Sequence, residues 1–148
     1  MKKLTLHLLY YVLLKILTAL KVFCKFSTVS GISLAVGSGI ILRQGSRASL
    51  KEFVDAFKEA VLPAATELRA ISESSVCFTV QAENMGALKE LWERYQDGTL
   101  QSNLQEFLVT DDIKQLADGE QVTLTVHVDE QEFNDACFSF IVAEKQGK

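Results

Sequence analysis

The sequence predicts an α+β fold in which helices cover one face of a small sheet. Two segments, residues 76–81 and 122–128, alternate apolar and polar side chains with the period of a half-buried strand. Between them, residues 85–98 repeat apolar side chains with the period of a helix. The order from residue 76 is strand, three helices, strand and helix. It leaves the relative direction of the strands open but allows the helices to form a layer on the sheet.

The helix predicted over residues 85–98 is the element on which the rest of the domain packs. Its large apolar side chains share one helical face: Leu88, Leu91, Trp92 and Tyr95. Asn84 is placed to cap the first turn, and Gly98 can adopt the left-handed conformation just past the last turn. We expect the apolar face to be buried against the sheet, which favours a core role for Trp92 over an aromatic recognition platform.

Charge divides the 148-residue chain into two unlike parts. The first 50 residues carry seven basic side chains and no acidic one, so the remaining eight basic and 19 acidic side chains leave residues 51–148 with a net charge of −11. An acidic globular part argues against nucleic acid as a partner, because phosphate neutralisation needs clustered Lys and Arg. We expect residues 1–30 to be a basic apolar appendage that could meet a membrane, and residues 31–148 to be one domain.

Residues 4–24 form an apolar stretch long enough to cross the roughly 30 Å hydrocarbon layer as a helix. Lys15 lies near its centre, where a charge costs about 2.5–3.5 kcal/mol on insertion scales. Three interpretations stay open: a membrane anchor or signal-anchor, a cleaved signal peptide, or no membrane role. A helix that keeps Lys15 and Lys21 wet would lie along the membrane surface instead.

Residues 26–42 are apolar but rich in Gly and Ser. Gly31, Ala35 and Gly39 have the four-residue spacing of a close-packing face between membrane helices. The alternative, which we favour, is a strand or strand pair over residues 32–36 and 40–43, broken at residues 37–39.

A helix begins after Ser49, because Ser49 and Glu52 have the spacing of a capping box. Its apolar side chains mark the face predicted to be buried: Leu50, Phe53, Val54, Phe57 and Val61. Pro63 ends or bends this helix. Thr66–Ile71 is compatible with either a resumed helix or a short strand.

Three more elements follow the central helix. Leu100, Leu104, Phe107 and Leu108 indicate a second helix, and Thr110 is placed to cap a brief third one that ends at Asp118 and Gly119. The strand over residues 122–128 comes next, and Asp129 with Glu132 indicates the cap of a last helix. The apolar face of that helix is expected to contain Phe133, Ala136, Cys137, Phe140 and Ile141. The polar strand side chains are expected to face solvent or a partner: Thr79, Gln81, Thr123, Thr125 and His127.

The sequence contains no recognisable catalytic, cofactor-binding or metal-binding site. Its cysteines, Cys24, Cys77 and Cys137, are odd in number and widely spaced, which indicates free thiols in a reducing compartment. The histidines, His7 and His127, lie far apart in the chain. Strand alternation points His127 away from the face that Cys137 covers, so no Cys–His pair is predicted.

Residues 88–141 resemble the N-terminal domain of TNF-receptor-associated death-domain adaptors, the TRADD-N-like domain. The most specific part is Leu91-Trp-Glu-Arg-Tyr-Gln-Asp-Gly-Thr-Leu100, an aromatic helix followed by Gly and a leucine-led helix. The resemblance implies an α-β sandwich with an antiparallel sheet, no catalysis, and a docking surface used in immune or cell-death signalling. A TRAF-type protein or another signalling adaptor would be its partner.

Two hypotheses therefore come from the sequence. The first is a non-catalytic adaptor or scaffold module in the cytoplasm, held at a membrane if residues 4–24 bind one. The alternative is a small membrane-anchored structural protein with a cytosolic α+β cap.

Overall fold

The structure is a computed structural model that describes residues 2–36, 49–72 and 76–146, with side chains from Leu8 to Lys145. In chain order its elements are α1 (Lys2–Leu17), β1 (Ala19–Thr28), β2 (Ser33–Leu34), α2 (Leu50–Val61), β3 (Thr66–Ile71), β4 (Cys77–Ala82), α3 (Met85–Gln96), α4 (Thr99–Leu108), α5 (Asp111–Gln115), β5 (Val122–His127) and α6 (Glu130–Gln146). The predicted α+β fold, with an apolar helix at the N-terminus, is confirmed.

Strand β1 is the centre of an antiparallel sheet. Its first half, Ala19 to Phe23, pairs with β4, and its second half, Phe23 to Thr28, pairs with β5. The short β2 also pairs with β1 near Phe26, and β3 extends the sheet beyond β4. Since every pairing is antiparallel, the sheet has the form that the family resemblance implies.

The helix predicted across residues 4–24 is wrong beyond Leu17. Residues 19–28 are instead the central strand, in which Leu20, Val22 and Phe26 enter the core while Lys21 and Lys25 stay exposed. Alternate side chains of a strand point to the same face of the sheet, so Leu20, Val22 and Phe26 are buried together. In a helix these three side chains would not share one face. In the described part of the chain, no helix has both the length and the apolar character needed to cross a membrane.

The structure describes only part of the glycine-rich region at residues 26–42. Within residues 32–36, the strand is limited to Ser33–Leu34. The second predicted strand at residues 40–43, the break at residues 37–39 and Gly39 itself lie outside the described residues.

The core lies between the sheet and helices α2 and α4. Phe57 is its centre: its ring lies 4.6 Å from Phe78 of β4 and makes an edge contact with Phe107 of α4 at 5.7 Å, between ring centroids. Phe53, one turn earlier on α2, packs on the same Phe57 ring at 6.0 Å. Of the predicted face of α2, Phe53, Phe57 and Val61 are buried and Val54 is half-buried, whereas Leu50 in the first turn is 60% exposed because the core begins one turn later.

Helix α3 has the start and the stop that the sequence predicts. Leu88 and Leu91 are fully buried, and Gly98 takes the left-handed conformation, with φ of 86°. The Trp92 ring stacks on Phe133 of another helix, α6, with 4.4 Å between the ring centroids and 7° between the ring planes. With Tyr95 beside it at 5.2 Å, Trp92 is a half-buried part of the core margin.

Several local predictions are resolved by the packing. Thr66–Ile71 is a strand, paired to β4 through a bulge after Leu68. Gln81, expected on an open polar face, is only 3% exposed because the end of α1 covers it. Ile141, expected in the apolar face of α6, is 43% exposed, whereas the neighbouring Phe140 packs against the core.

Three of the four predicted helix caps form, and the one at Thr110 does not. Asn84 Oδ1 accepts the Ala87 N–H at 2.8 Å, and Ser49 Oγ accepts the Glu52 N–H at 3.2 Å. Thr110 precedes α5 but makes no side-chain cap bond, and its buried hydroxyl lacks a partner among the described residues. Asp129 caps α6, since its Oδ1 accepts the Gln131 N–H at 2.9 Å. Glu132 does not complete the capping box, because its carboxylate accepts the backbone N–H of Lys21 in β1.

This contrast gives a stability prediction for two matched helix starts. Asn84→Ala removes a cap bond and is expected to lower the free energy of unfolding by about 1 kcal/mol. Thr110→Val removes a buried hydroxyl that has no partner and is expected to cost nothing, or to stabilise by up to about 1 kcal/mol. Urea denaturation of both variants measures the difference, and an equal loss in the two would show that Thr110 does cap α5.

Candidate interaction surface

The outer face of the sheet, opposite the core, carries the side chains that alternate with the buried ones. Phe23 lies in its middle and pairs with Cys77 of β4 on one side and His127 of β5 on the other. Thr123 and Thr125 of β5 are exposed as predicted. Much of this face is therefore open to a partner.

Helix α1 lies over one end of this outer face and leaves a cleft of about 650 Å³. The apolar wall comes from α1 and the start of β1, and the polar floor comes from the sheet and the first turn of α6. The residues that line this cleft, called the α1 cleft below, are Tyr11, Val12, Lys15, Ile16, Ala19, Lys21, Arg69, Thr79, Gln81 and Glu132.

The α1 cleft is positively charged although the body of the protein is acidic. It contains three cations, Lys15, Lys21 and Arg69, and one carboxylate, Glu132. Lys15 lies over the Tyr11 ring at 5.4 Å, and Arg69 pairs with Glu67 outside the cleft at 3.2 Å. Among the described side chains, no carboxylate lies within ion-pair distance of either lysine ammonium.

A buried hydrogen-bond network holds α1 to the sheet at the closed end of the cleft. Gln81 Nε2 donates to Thr18 Oγ1 at 2.6 Å and to the Ala82 carbonyl at 2.9 Å. Thr18 Oγ1 in turn donates to the Leu14 carbonyl in the last turn of α1, at 2.7 Å. Since an unmade bond would leave buried polar groups unsatisfied, this network fixes the position at which α1 leaves the sheet.

A second surface is apolar and lies along α1 and α6. The large side chains exposed on it are Leu8, Leu9, Tyr10, Tyr11, Val12, Leu13, Ile16, Leu17, Phe138 and Ile141. A shallow cavity of about 250 Å³ separates the two helices, between Leu13 and Phe138. This many exposed apolar side chains on two neighbouring helices are typical of a region that contacts a protein or a lipid.

The cysteines and the histidine do not form a nucleophile–base pair. Cys77 and His127 share the outer face but lie on opposite sides of β1, which separates them by two strand spacings, about 9–10 Å. Burial raises the pKa of the Cys24 thiol to about 12, with Cys77 adding to the shift, and burial also raises the pKa values of Cys77 and Cys137. All three thiols are therefore protonated at neutral pH, when they are poor nucleophiles.

Metal-ligating side chains are dispersed. Over residues 2–36, 49–72 and 76–146, no three His, Cys, Asp or Glu side chains come together in a way that could hold an ion. The side chain of His7 lies outside the described residues.

Comparison with protein families matches residues 47–133, more than half of the chain, to the TRADD-like N-terminal domain. The chain belongs to the TRADD-like N-terminal domain family. No curated protein and no solved structure matches the chain. Because TRADD-like N-terminal domains are adaptor-type modules and not a known enzyme family, the match indicates protein–protein interaction in general.

The TRADD-like match divides the α1 cleft between two parts of the chain. It includes α2 to β5 and the first turn of α6, and therefore Arg69, Thr79, Gln81 and Glu132 of the floor. The apolar wall on α1, with Lys15 and Lys21, precedes the matched residues. Sequence patterns do not reveal this cleft, because it depends on where α1 crosses the sheet.

Proposed function

We propose that this chain is a non-catalytic adaptor or scaffold module that acts in cytoplasmic immune or cell-death signalling. A TRAF-type protein or another signalling adaptor is its partner. The observation that carries the proposal is membership of the TRADD-like N-terminal domain family, an adaptor-type family.

The open part of the outer sheet face supports this role. Thr123, Thr125 and His127 of β5 are exposed beside Phe23, which is 42% exposed. An aromatic ring within a polar rim matches the usual composition of a protein interface. Helices α2 and α4 hold the opposite face of the sheet in the core, so the outer face is rigid before a partner arrives.

The thiols support a role without covalent chemistry. Their pKa values are raised, and Cys77 is separated from His127, so none of the three thiols is an activated nucleophile.

A site-specific photo-crosslinker tests the docking role. We would place benzoylphenylalanine at Thr125, on the outer face, and in a matched variant at Glu59, exposed on α2. In lysate of cells that express the full chain, we expect Thr125 to crosslink to a TRAF-type or other signalling adaptor and Glu59 not to do so. Surface plasmon resonance with that purified adaptor should then show saturable binding. Equal labelling from both positions, or no labelling from Thr125, would contradict the proposal.

The apolar surface on α1 and α6 favours a second candidate, association with a membrane surface through α1, the helical part of the apolar segment 4–24. The exposed leucines of α1 and the absence of acidic residues from the first 50 positions suit a helix lying on anionic lipid. We expect vesicles containing phosphatidylserine to carry the full chain upward in a flotation gradient, and Leu9→Glu to abolish this. Leu116→Glu, at an exposed leucine elsewhere, is the control. A chain that stays at the bottom with anionic vesicles would exclude this candidate.

A further inference from the structure

We propose that the α1 cleft binds a small amphiphilic anion, in which a carboxylate or phosphate monoester is attached to an apolar body. This inference does not depend on the adaptor role, because it concerns a different part of the outer face and a different class of ligand.

The size and lining of the cleft fit a small molecule. Its volume of about 650 Å³ lies within the roughly 300–1,000 Å³ of ligand pockets, which are mostly apolar with a few polar groups that fix orientation. Here Val12, Ile16 and the Tyr11 ring form an apolar wall, and Thr79 and Gln81 contribute polar groups at the floor. An amphiphile places its apolar body on the wall and its polar head on the floor.

The charges select the sign of the head group. Lys21 and Arg69 lie on the floor, and Lys15 lies at the wall. Glu132, the one carboxylate among the described lining residues, accepts the backbone N–H of Lys21 and forms no ion pair with the Lys21 ammonium, and Arg69 pairs with the exposed Glu67. A carboxylate or phosphate would gain charge-assisted hydrogen bonds from Lys21 and Arg69, whereas a cationic head would meet three like charges against the single carboxylate of Glu132.

The floor is held in place before any ligand binds. Gln81, 3% exposed, is fixed by its bonds to Thr18 and the Ala82 carbonyl, and Lys21 and Thr79 are paired residues of neighbouring strands. Because strand pairing already fixes the backbones that carry Lys21 and Thr79, only their side chains reorder on binding, which limits the entropic cost.

Calorimetric titration of the full chain with single-chain probes below their micellar concentrations tests the proposal. Dodecanoate and dodecyl phosphate distinguish a carboxylate from a phosphate source, dodecyl maltoside has no charge, and inorganic phosphate has no apolar body. We expect one saturable site for at least one of the two dodecyl anions, with affinity at least tenfold above that for dodecyl maltoside and inorganic phosphate.

Matched variants locate the site. Lys21→Glu is expected to weaken binding by about tenfold or more, and Arg69→Gln to weaken it measurably. Lys25→Glu is the control, because Lys25 is exposed on the same face of β1 but lies outside the cleft. Far-ultraviolet circular dichroism verifies that each variant folds, which these exposed positions permit.

Three results would overturn the proposal. Dodecyl maltoside binding as tightly as the anions would mean adsorption to the apolar surface of α1. Inorganic phosphate binding as tightly as dodecyl phosphate would mean that the apolar wall contributes nothing. Equal loss in Lys21→Glu and Lys25→Glu would mean general charge attraction outside the cleft.

Discussion

Phe57→Ala is expected to destabilise the protein by about 3–5 kcal/mol, the range for removing a buried aromatic ring. The Phe57 ring contacts three other rings, and its three partners come from α2, β4 and α4. Truncation therefore opens a cavity at the point where two helices meet the sheet. Since a domain of this size has about 5–15 kcal/mol of total stability, the variant would lose a large share of it.

The control for this prediction is Phe138→Ala on α6. Phe138 is 67% exposed, so its truncation is expected to change the free energy of unfolding by less than about 1 kcal/mol. Urea denaturation monitored by circular dichroism gives both values. If Phe138→Ala were the more damaging of the two, the exposed surface of α6 would in fact be covered, and the core would not be centred on Phe57.

The elements that the sequence predicts well are those with a periodicity and a local end signal. Residues 85–98 combine a helical face with Asn84 before it and Gly98 after it. In the structure Asn84 caps the first turn with a side-chain hydrogen bond, and Gly98 adopts the left-handed conformation. The strand at residues 122–127 alternates without interruption, so its buried and exposed faces follow directly. In both cases the information lies within one element.

The N-terminal segment shows where such information ends. Leucines dominate residues 4–17, and a continuous apolar run cannot by itself distinguish a helix from a buried strand. From Leu20 onward an alternation with Lys21 and Lys25 is present, but it follows the helical run without a Pro or Gly to separate them. Thr18 marks the boundary through its bonds to Leu14, one turn earlier, and to Gln81, and the bond to Gln81 is a tertiary contact.

The α1 cleft belongs to the same class of feature. Gln81 alternates with apolar neighbours, so its strand face was predictable, but its burial was not. A helix more than 60 residues away in sequence covers it. Lys21 on β1 and Arg69 on β3 line the same cleft because a single strand, β4, lies between β1 and β3 in the sheet. Sites assembled across strands in this way require the sheet order, which no local pattern in this sequence contains.

Gln105 gives the second large prediction, because it protects the edge of the sheet. Strand β5 pairs with β1 on one side, and on its other side the Gln105 side chain of α4 takes the place of a neighbouring strand. Its Nε2 donates to the Val122 carbonyl at 2.8 Å, and its Oε1 accepts the Leu124 N–H at 2.7 Å. The amide thus satisfies a donor and an acceptor that would otherwise attract another chain.

Gln105→Leu keeps the size of the side chain but removes both bonds, and we expect it to cost about 2–3 kcal/mol, since two partly buried backbone groups lose their partners. Gln101→Leu, at an exposed position one turn earlier on α4, is the matched control and should stay within about 0.5 kcal/mol.

The freed edge also has a consequence that depends on protein concentration. Because unpaired strand edges favour association, Gln105→Leu is expected to form dimers or aggregates in analytical ultracentrifugation at concentrations where Gln101→Leu sediments like the parent chain. Unchanged stability in Gln105→Leu would mean that water replaces the amide without loss and that the edge of β5 needs no protection.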